Sequence, residues 1–186
     1  MTRGRYMKTF VAFLDARDPL VAPRVHARVP AELRHHVSAT TALGWMPAEV
    51  NTEYTRAVYD QLGEPAAESF FHDIVLESMK TPLFEGMATA FIRLVGLDPA
   101  ALARGVGKIT NVMFKDAGTW TVADRTSRGA LVRVENAPPL MLEDPWPRSA
   151  RASVSAVFHI ARKPAGTCKL ARIDHQRGLI EFELRW

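Results

Sequence analysis

A chain of 186 residues with 24 basic and 20 acidic side chains is close to charge balance, at a formal net charge of +4. Its 47% hydrophobic and 24% charged content is ordinary for a globular domain able to bury one core without disulfides or metal, and Cys168 as the single cysteine excludes an internal disulfide. No apolar run approaches the roughly 18 residues of a membrane span. The basic residues are spread from Arg24, Arg28 and Arg34 through Arg93 and Arg104 to Arg148, Arg151, Arg162 and Lys163, which argues against a nucleic-acid interface.

In chain order, Met7 to Leu14 fits either a short strand or the start of a helix. This apolar segment is too short for a signal-peptide core and is followed at once by Asp15-Ala16-Arg17-Asp18, so a cytoplasmic protein is expected. Asp18-Pro19 has the form of an N-cap and first-turn proline, opening a helix over Leu20 to Arg28. Pro30 interrupts, and Ala31 to Ala39 has Leu33 and Val37 at helical spacing. Gly44-Trp45-Met46-Pro47 is a break. The next helix, Ala48 to Leu62, carries Val50, Tyr54, Val58 and Leu62 four apart and stops at Gly63. Pro65 to Met79 and Leu83 to Val95 are predicted as two more helices, the second closed by Gly96. Asp98-Pro99 then caps a helix running to about Phe114, with Leu102, Val106, Ile109, Val112 and Met113 expected inward.

The period changes after Gly118. Trp120 to Ala123 and Ala130 to Val134 suit strands joined by the charged link Arg125-Thr126-Ser127-Arg128-Gly129. The stretch 136–147 is proline-rich. Residues 148–161 fit both periods, and their alanines and length favour helix. Cys168 to Ile173 suggests a strand, His175-Gln176-Arg177-Gly178 a hairpin turn, and Leu179 to Trp186 alternates Ile180, Phe182, Leu184 and Trp186 against charged residues. The fold class expected is a single α+β domain over 1–186, with a helical N-terminal half packed on a small four-stranded antiparallel sheet in a C-terminal ββαββ unit.

This arrangement resembles the superfamily of 4-vinyl reductase-type domains, haem-NO-binding domains and TRAPP vesicle-tethering subunits. More narrowly, the chain is similar to a paralogous family abundant in myxobacteria. The features that carry the resemblance are Leu43-Gly44-Trp45-Met46-Pro47 before a helix with Tyr54, Lys115-Asp116-Ala117-Gly118 leading into the sheet, and the terminal Glu181-Phe182-Glu183-Leu184-Arg185-Trp186. The resemblance implies a homodimer, and a space between helices and sheet that related domains use for a ligand or acyl chain. It also implies where haem would be held: a helical histidine as iron ligand, for which His72 is the candidate, and a Tyr-x-Ser-x-Arg motif for the propionates. That motif is absent. Arg125-Thr126-Ser127-Arg128 is the nearest segment and lacks the tyrosine, so no cofactor is expected.

Other chemistry leaves little trace. His35 and His36 are adjacent and point about 100° apart on a helix, His26 is distant, and no Cys-x-x-Cys or His-x-x-x-His spacing occurs, so no metal site is read. Cysteine-metal sites of the 4-vinyl reductase type would need more than Cys168, which reads as a buried strand residue. Arg104-Gly105-Val106-Gly107-Lys108 lacks P-loop spacing and falls within a helix, where its glycines suit close packing. No serine stands in a Gly-x-Ser-x-Gly elbow. The reading is therefore a non-catalytic small-molecule-binding or sensory module in bacterial signalling, with Phe71, Val75, Phe91 and Met113 lining an apolar pocket. The alternative is a homodimeric protein-interaction adaptor with a filled core, presenting Leu140, Met141, Leu142 and Trp146 as an exposed contact surface.

Overall fold

The computed structural model describes residues 1–80, Gly86, Thr89, Ala90, Arg93 and 96–186. Among these, a two-stranded sheet of β1 (Thr2–Arg3) and β2 (Trp45–Met46) accompanies the helices α1 (Gly4–Arg17), α2 (Ala22–Arg28), α3 (Ala31–Ala39), α4 (Ala48–Leu62) and α5 (Glu64–Met79). The second half holds α6 (Pro99–Met113), β3 (Thr119–Ala123), β4 (Gly129–Glu135), the single turn α7 (Pro139–Leu142), α8 (Trp146–Ile160), β5 (Thr167–Asp174) and β6 (Leu179–Arg185). The four long strands form one antiparallel sheet in the order β3-β4-β6-β5, so the molecule is α+β with its sheet in the C-terminal half.

Local chemistry explains most boundaries. Asp98 caps α6 by accepting a hydrogen bond from the Ala101 N–H at 2.8 Å, as a short acidic side chain before a helical proline should. Asp18 does not cap α2. Its carbonyl receives the Val21 and Ala22 N–H groups, the helix starts later at Ala22, and Leu20 is 89% exposed. Residues 148–160 resolve as helix within α8, with Ala161 just past its end. In β6, Ile180, Phe182 and Leu184 are fully buried, as the alternation requires. On α6, Leu102 and Met113 are buried, but Ile109 and Val112 are exposed, which corrects their assignment to the core. The helix expected over Leu83 to Val95 lies outside the described residues, apart from the four positions named above.

Two hydrophobic cores result. One, inside the helical half, gathers Met7, Phe10, Leu14, Val25, Tyr54, Phe70 and Phe71. The other, between the sheet and α6 and α8, gathers Val132, Val134, Val154, Phe158, Ile180 and Phe182. Gly107 lets α6 lie directly on β3, since a Cβ there would sit 2.5 Å from Cβ of Trp120. Gly118 turns the chain from α6 into the sheet at φ +73°. A Cβ on it would stand 2.7 Å from the Glu135 carbonyl oxygen, which belongs to backbone and cannot rotate away.

Gly118→Ala should therefore combine the left-handed penalty of about 1–2 kcal/mol with a backbone clash. A fall in the urea midpoint at unchanged m-value is the expected result; an unchanged midpoint would show that the turn relaxes freely.

Candidate functional site

Helix α8 joins the two cores. Its positions Ala150, Val154, Val157, Phe158 and Ala161 (the last just past its end) pack into the sheet core, while Ala152 belongs to the helical core. Ser149, Ala152, Ser153 and Ala156 share a narrow face of small side chains, three or four residues apart. That face lets α8 approach α5 closely, and Ser153 Oγ donates to the Phe71 carbonyl at 3.3 Å. The outer edge of the same contact is an ion-pair ladder: Arg148 with Glu64 at 3.4 Å, then Arg151 with Glu68.

Buried polar groups collect beside this junction. Asn51, Thr55 and Tyr59 stand at i, i+4 and i+8 on α4 and so share one face. They are 5%, 1% and 8% exposed. Asn51 Oδ1, Thr55 Oγ1 and Tyr59 Oη are shielded from solvent, and each lacks a hydrogen-bond partner among the described residues. Thr52, by contrast, donates to the Ala48 carbonyl at 3.4 Å. The Tyr59 ring stacks on Phe71, with centroids 5.7 Å apart, and the Arg148 guanidinium lies 4.8 Å above it. Removal from water pushes the Tyr59 phenol up to about 12, the nearby Arg148 and Arg151 opposing only in part. Burial likewise raises Tyr54 and Tyr6. Three oxygens that would each cost about 1–3 kcal/mol if left unpaired thus line one flank of α4.

The residues expected to line a pocket are only partly brought together. Phe71 is buried in the helical core against Phe10, Phe70 and Tyr59, so it fills space as well as bordering the polar stripe. Val75 is half-buried one turn further along α5, and Met113 is buried at the end of α6. Phe91 lies outside the described residues. The expected contact surface is overturned: Met141, Leu142 and Trp146 are 7%, 4% and 7% exposed and pack into the sheet core, and Leu140 is half-buried. Turn α7 folds this apolar segment down over the sheet, where burial returns more than exposure to water. The polar stripe escaped sequence reading, although Asn51, Thr55 and Tyr59 repeat with the same four-residue spacing as Val50, Tyr54 and Val58 beside them.

A concavity of ≈ 560 Å³ lies at the hairpin end of the sheet, among Asp124, Thr126, Arg128, Leu131, Glu183 and Arg185. It is wide open, and its charges are largely matched internally: Arg185 donates to Glu183 at 2.8 Å, and Asp124 meets Arg133 at 3.4 Å. It offers no single-signed field for an anion or cation.

No protein-family model matches the chain, and no curated protein does. Solved structures do. An Fe(II) unliganded H-NOX protein from K. algicida is 9% identical at a TM-score of 0.62, over 100% of this chain and 96% of that one. A point variant of that protein, also 9% identical, gives a TM-score of 0.67 with the same coverage. A Tt H-NOX variant gives 0.62 at 9% identity, over 100% and 93%. The likeness is one of fold, and it supports the haem-NO-binding resemblance at that level.

Among the described residues, the donor set does not fit haem iron. Of the six histidines, His26 uses both ring nitrogens, one to Tyr54 Oη at 3.2 Å and one to Asp15 at 2.8 Å. His72 donates through Nδ1 to Asp73 at 2.8 Å and lies edge-on to the exposed His159, on the outer side of the α5–α8 contact. His35 and His175 are exposed, and His36 is half-exposed on α3. Cys168 is buried in the sheet core, with burial pushing its thiol up to about 12. Arg125, in the segment nearest to a propionate motif, is paired with Asp98 at 3.2 Å.

The tyrosines supply a test of this geometry. All three carry raised phenols in the folded state, so an unfolded chain ionises first, from about pH 10. Stability should be intact below pH 10 and fall as pH rises toward 12, because the unfolded state then binds fewer protons. Absorbance at 295 nm should show no tyrosinate at pH 10 and should rise together with alkaline unfolding. A tyrosine titrating normally while far-UV circular dichroism stays native would contradict it.

Proposed function

We propose that this protein is a non-catalytic small-molecule-binding, sensory module of bacterial signalling, built on the H-NOX fold but recognising its ligand by hydrogen bonds and without haem. The observation that carries this reading is the row of unpartnered oxygens on α4: Asn51 Oδ1, Thr55 Oγ1 and Tyr59 Oη. Buried polar groups are normally satisfied, and three orphans on one helical face mark a place where a polar molecule completes the structure. A hydroxyl donates and accepts, and an amide oxygen accepts, so the ligand presents mixed donors and acceptors along one edge. Its apolar body is assigned to Phe71, whose ring already stacks on Tyr59, with Val75 and Met113 as further wall.

Arg148 fits a signalling role at this position. It sits over Tyr59, and it holds Asp144 at 2.6 Å and Glu64 at 3.4 Å, which ties α8 to α5. A ligand that orders Tyr59 also biases this contact, giving an occupant of the stripe a path to the packing of the two halves. The adaptor alternative is left without the exposed patch that was to carry it, since Met141, Leu142 and Trp146 are buried.

Native mass spectrometry of protein purified under mild conditions tests the reading. A mass excess that disappears on denaturation is expected, as is its loss in the triple variant Asn51→Leu, Thr55→Val, Tyr59→Phe, and no Soret band should accompany it. Homodimerisation, which the resemblance implies, is read in the same spectrum. A bare polypeptide mass, together with a triple variant more stable than the parent, would remove the stripe as a site, because apolar replacement of truly unused groups is neutral or stabilising. A Soret band would remove the haem-free part of the proposal.

A further inference from the structure

The α5–α8 ladder ends in an unusual rung. On α5, Glu64, Glu68 and His72 repeat every four residues and share one face. The first two meet Arg148 and Arg151 of α8, while the third meets another base, His159, with ring centroids 6.0 Å apart and planes at 72°. We propose that His72 and His159 are the two protein ligands of a surface site for a borderline divalent cation of the Zn(II), Ni(II) or Cu(II) class, which staples α5 to α8.

Three features carry this. The spacing fits: two imidazoles each about 2.0–2.1 Å from a shared ion place their ring centres roughly 5–6 Å apart. The tautomer is set: His72 Nδ1 donates to Asp73 at 2.8 Å, which leaves Nε2 with its lone pair free to coordinate. A carboxylate behind a ligating imidazole is the usual second layer of such sites, orienting the ring and raising its basicity. Asp73 is itself held, by Arg17 Nη1 at 3.0 Å and Ser69 Oγ at 3.3 Å, so the ring is positioned before any ion arrives. Access is open as well, with the His72 side chain 28% exposed and His159 on the surface.

The chemistry limits what the site takes. No group of three or more His, Cys, Asp and Glu side chains that could hold a metal occurs among the described residues. The site is therefore one of two imidazoles with water or an external ligand in the remaining positions. Nitrogen ligands favour Zn(II), Ni(II) and Cu(II), while Mg(II) and Ca(II) want oxygen and should not bind. This inference does not depend on what occupies the α4 stripe.

The test uses tag-free full-length protein titrated with Zn(II), Ni(II) and Mg(II) by isothermal calorimetry, with melting temperature as a second readout. Expected are one equivalent of Zn(II) or Ni(II) at micromolar affinity, a raised melting temperature, and no response to Mg(II). His159→Ala changes an exposed residue and should keep the fold. It should weaken binding at least tenfold and abolish the thermal shift, and His72→Ala should do the same. His175→Ala, at the far hairpin, should leave both readouts unchanged, and Asp73→Asn should weaken affinity by about ten- to a hundredfold. Undiminished binding in His159→Ala, or no binding up to millimolar Zn(II), would overturn the site.

Discussion

The structure depends on α8 having three edges of different chemistry. Ala150, Val154, Val157 and Phe158 face the sheet, Ser149, Ala152, Ser153 and Ala156 face α5, and Arg148, Arg151 and His159 form the outer edge. The first edge drives burial and the second permits close approach. The third fixes the register with Glu64 and Glu68. A helix buried on two sides by different partners must keep one of those sides small, or the two cores could not both close around it at interior density. The small face helps make one molecule of the two cores: Ala152 belongs to the helical core, while most other buried positions of α8 belong to the sheet core, and a second link runs through Tyr6 and Thr2 to Phe114.

The same constraint explains where polarity can survive inside. Helix α4 is buried on nearly every side, and a helix in that position is normally apolar all round. Val50, Tyr54 and Val58 follow the rule, and Asn51, Thr55 and Tyr59 break it along a single stripe. Such a break is expensive, and three of its members line one flank of α4, with Thr2 Oγ1 on β1 a further buried oxygen that lacks a partner among the described residues. Phe10 alone makes ring contacts with Tyr6, Tyr54, Phe70 and Phe71. Thr52, also on α4, shows the usual outcome for a buried hydroxyl, a backbone carbonyl as partner.

Much of the fold was legible from sequence because local rules agree with the global arrangement. Gly63 ends α4 and Asp98 caps α6, as read. Gly118 turns into β3, and the alternation of β6 places Ile180, Phe182 and Leu184 inside. Apart from Asp18, which does not cap α2, the failures share one cause. Ile109 and Val112 satisfy the helical period of α6 yet lie outside, and Met141, Leu142 and Trp146 look like an exposed loop yet lie inside. Burial in such cases depends on which element arrives opposite, and that is information about pairs. The candidate sites were illegible for the same reason. Asn51, Thr55 and Tyr59 read as neutral helix residues until α4 is seen to be surrounded, and His72 gains His159 as neighbour only when α5 and α8 lie side by side.

At 9% identity over the whole chain, what persists between this protein and the H-NOX structures is the arrangement of helices against a four-stranded sheet, and the chemistry inside it is free to differ. Iron coordination needs an imidazole directed inward and a cationic seat for propionates. Here both imidazole nitrogens of His26 are engaged, His72 is turned outward by Asp73, and Arg125 is paired with Asp98. The interior retains oxygen atoms, which select partners by hydrogen-bond direction. What decides between coordination and hydrogen bonding is a handful of interior side chains, and the proposal of a hydrogen-bonded ligand rests on the lone pairs of Asn51, Thr55 and Tyr59.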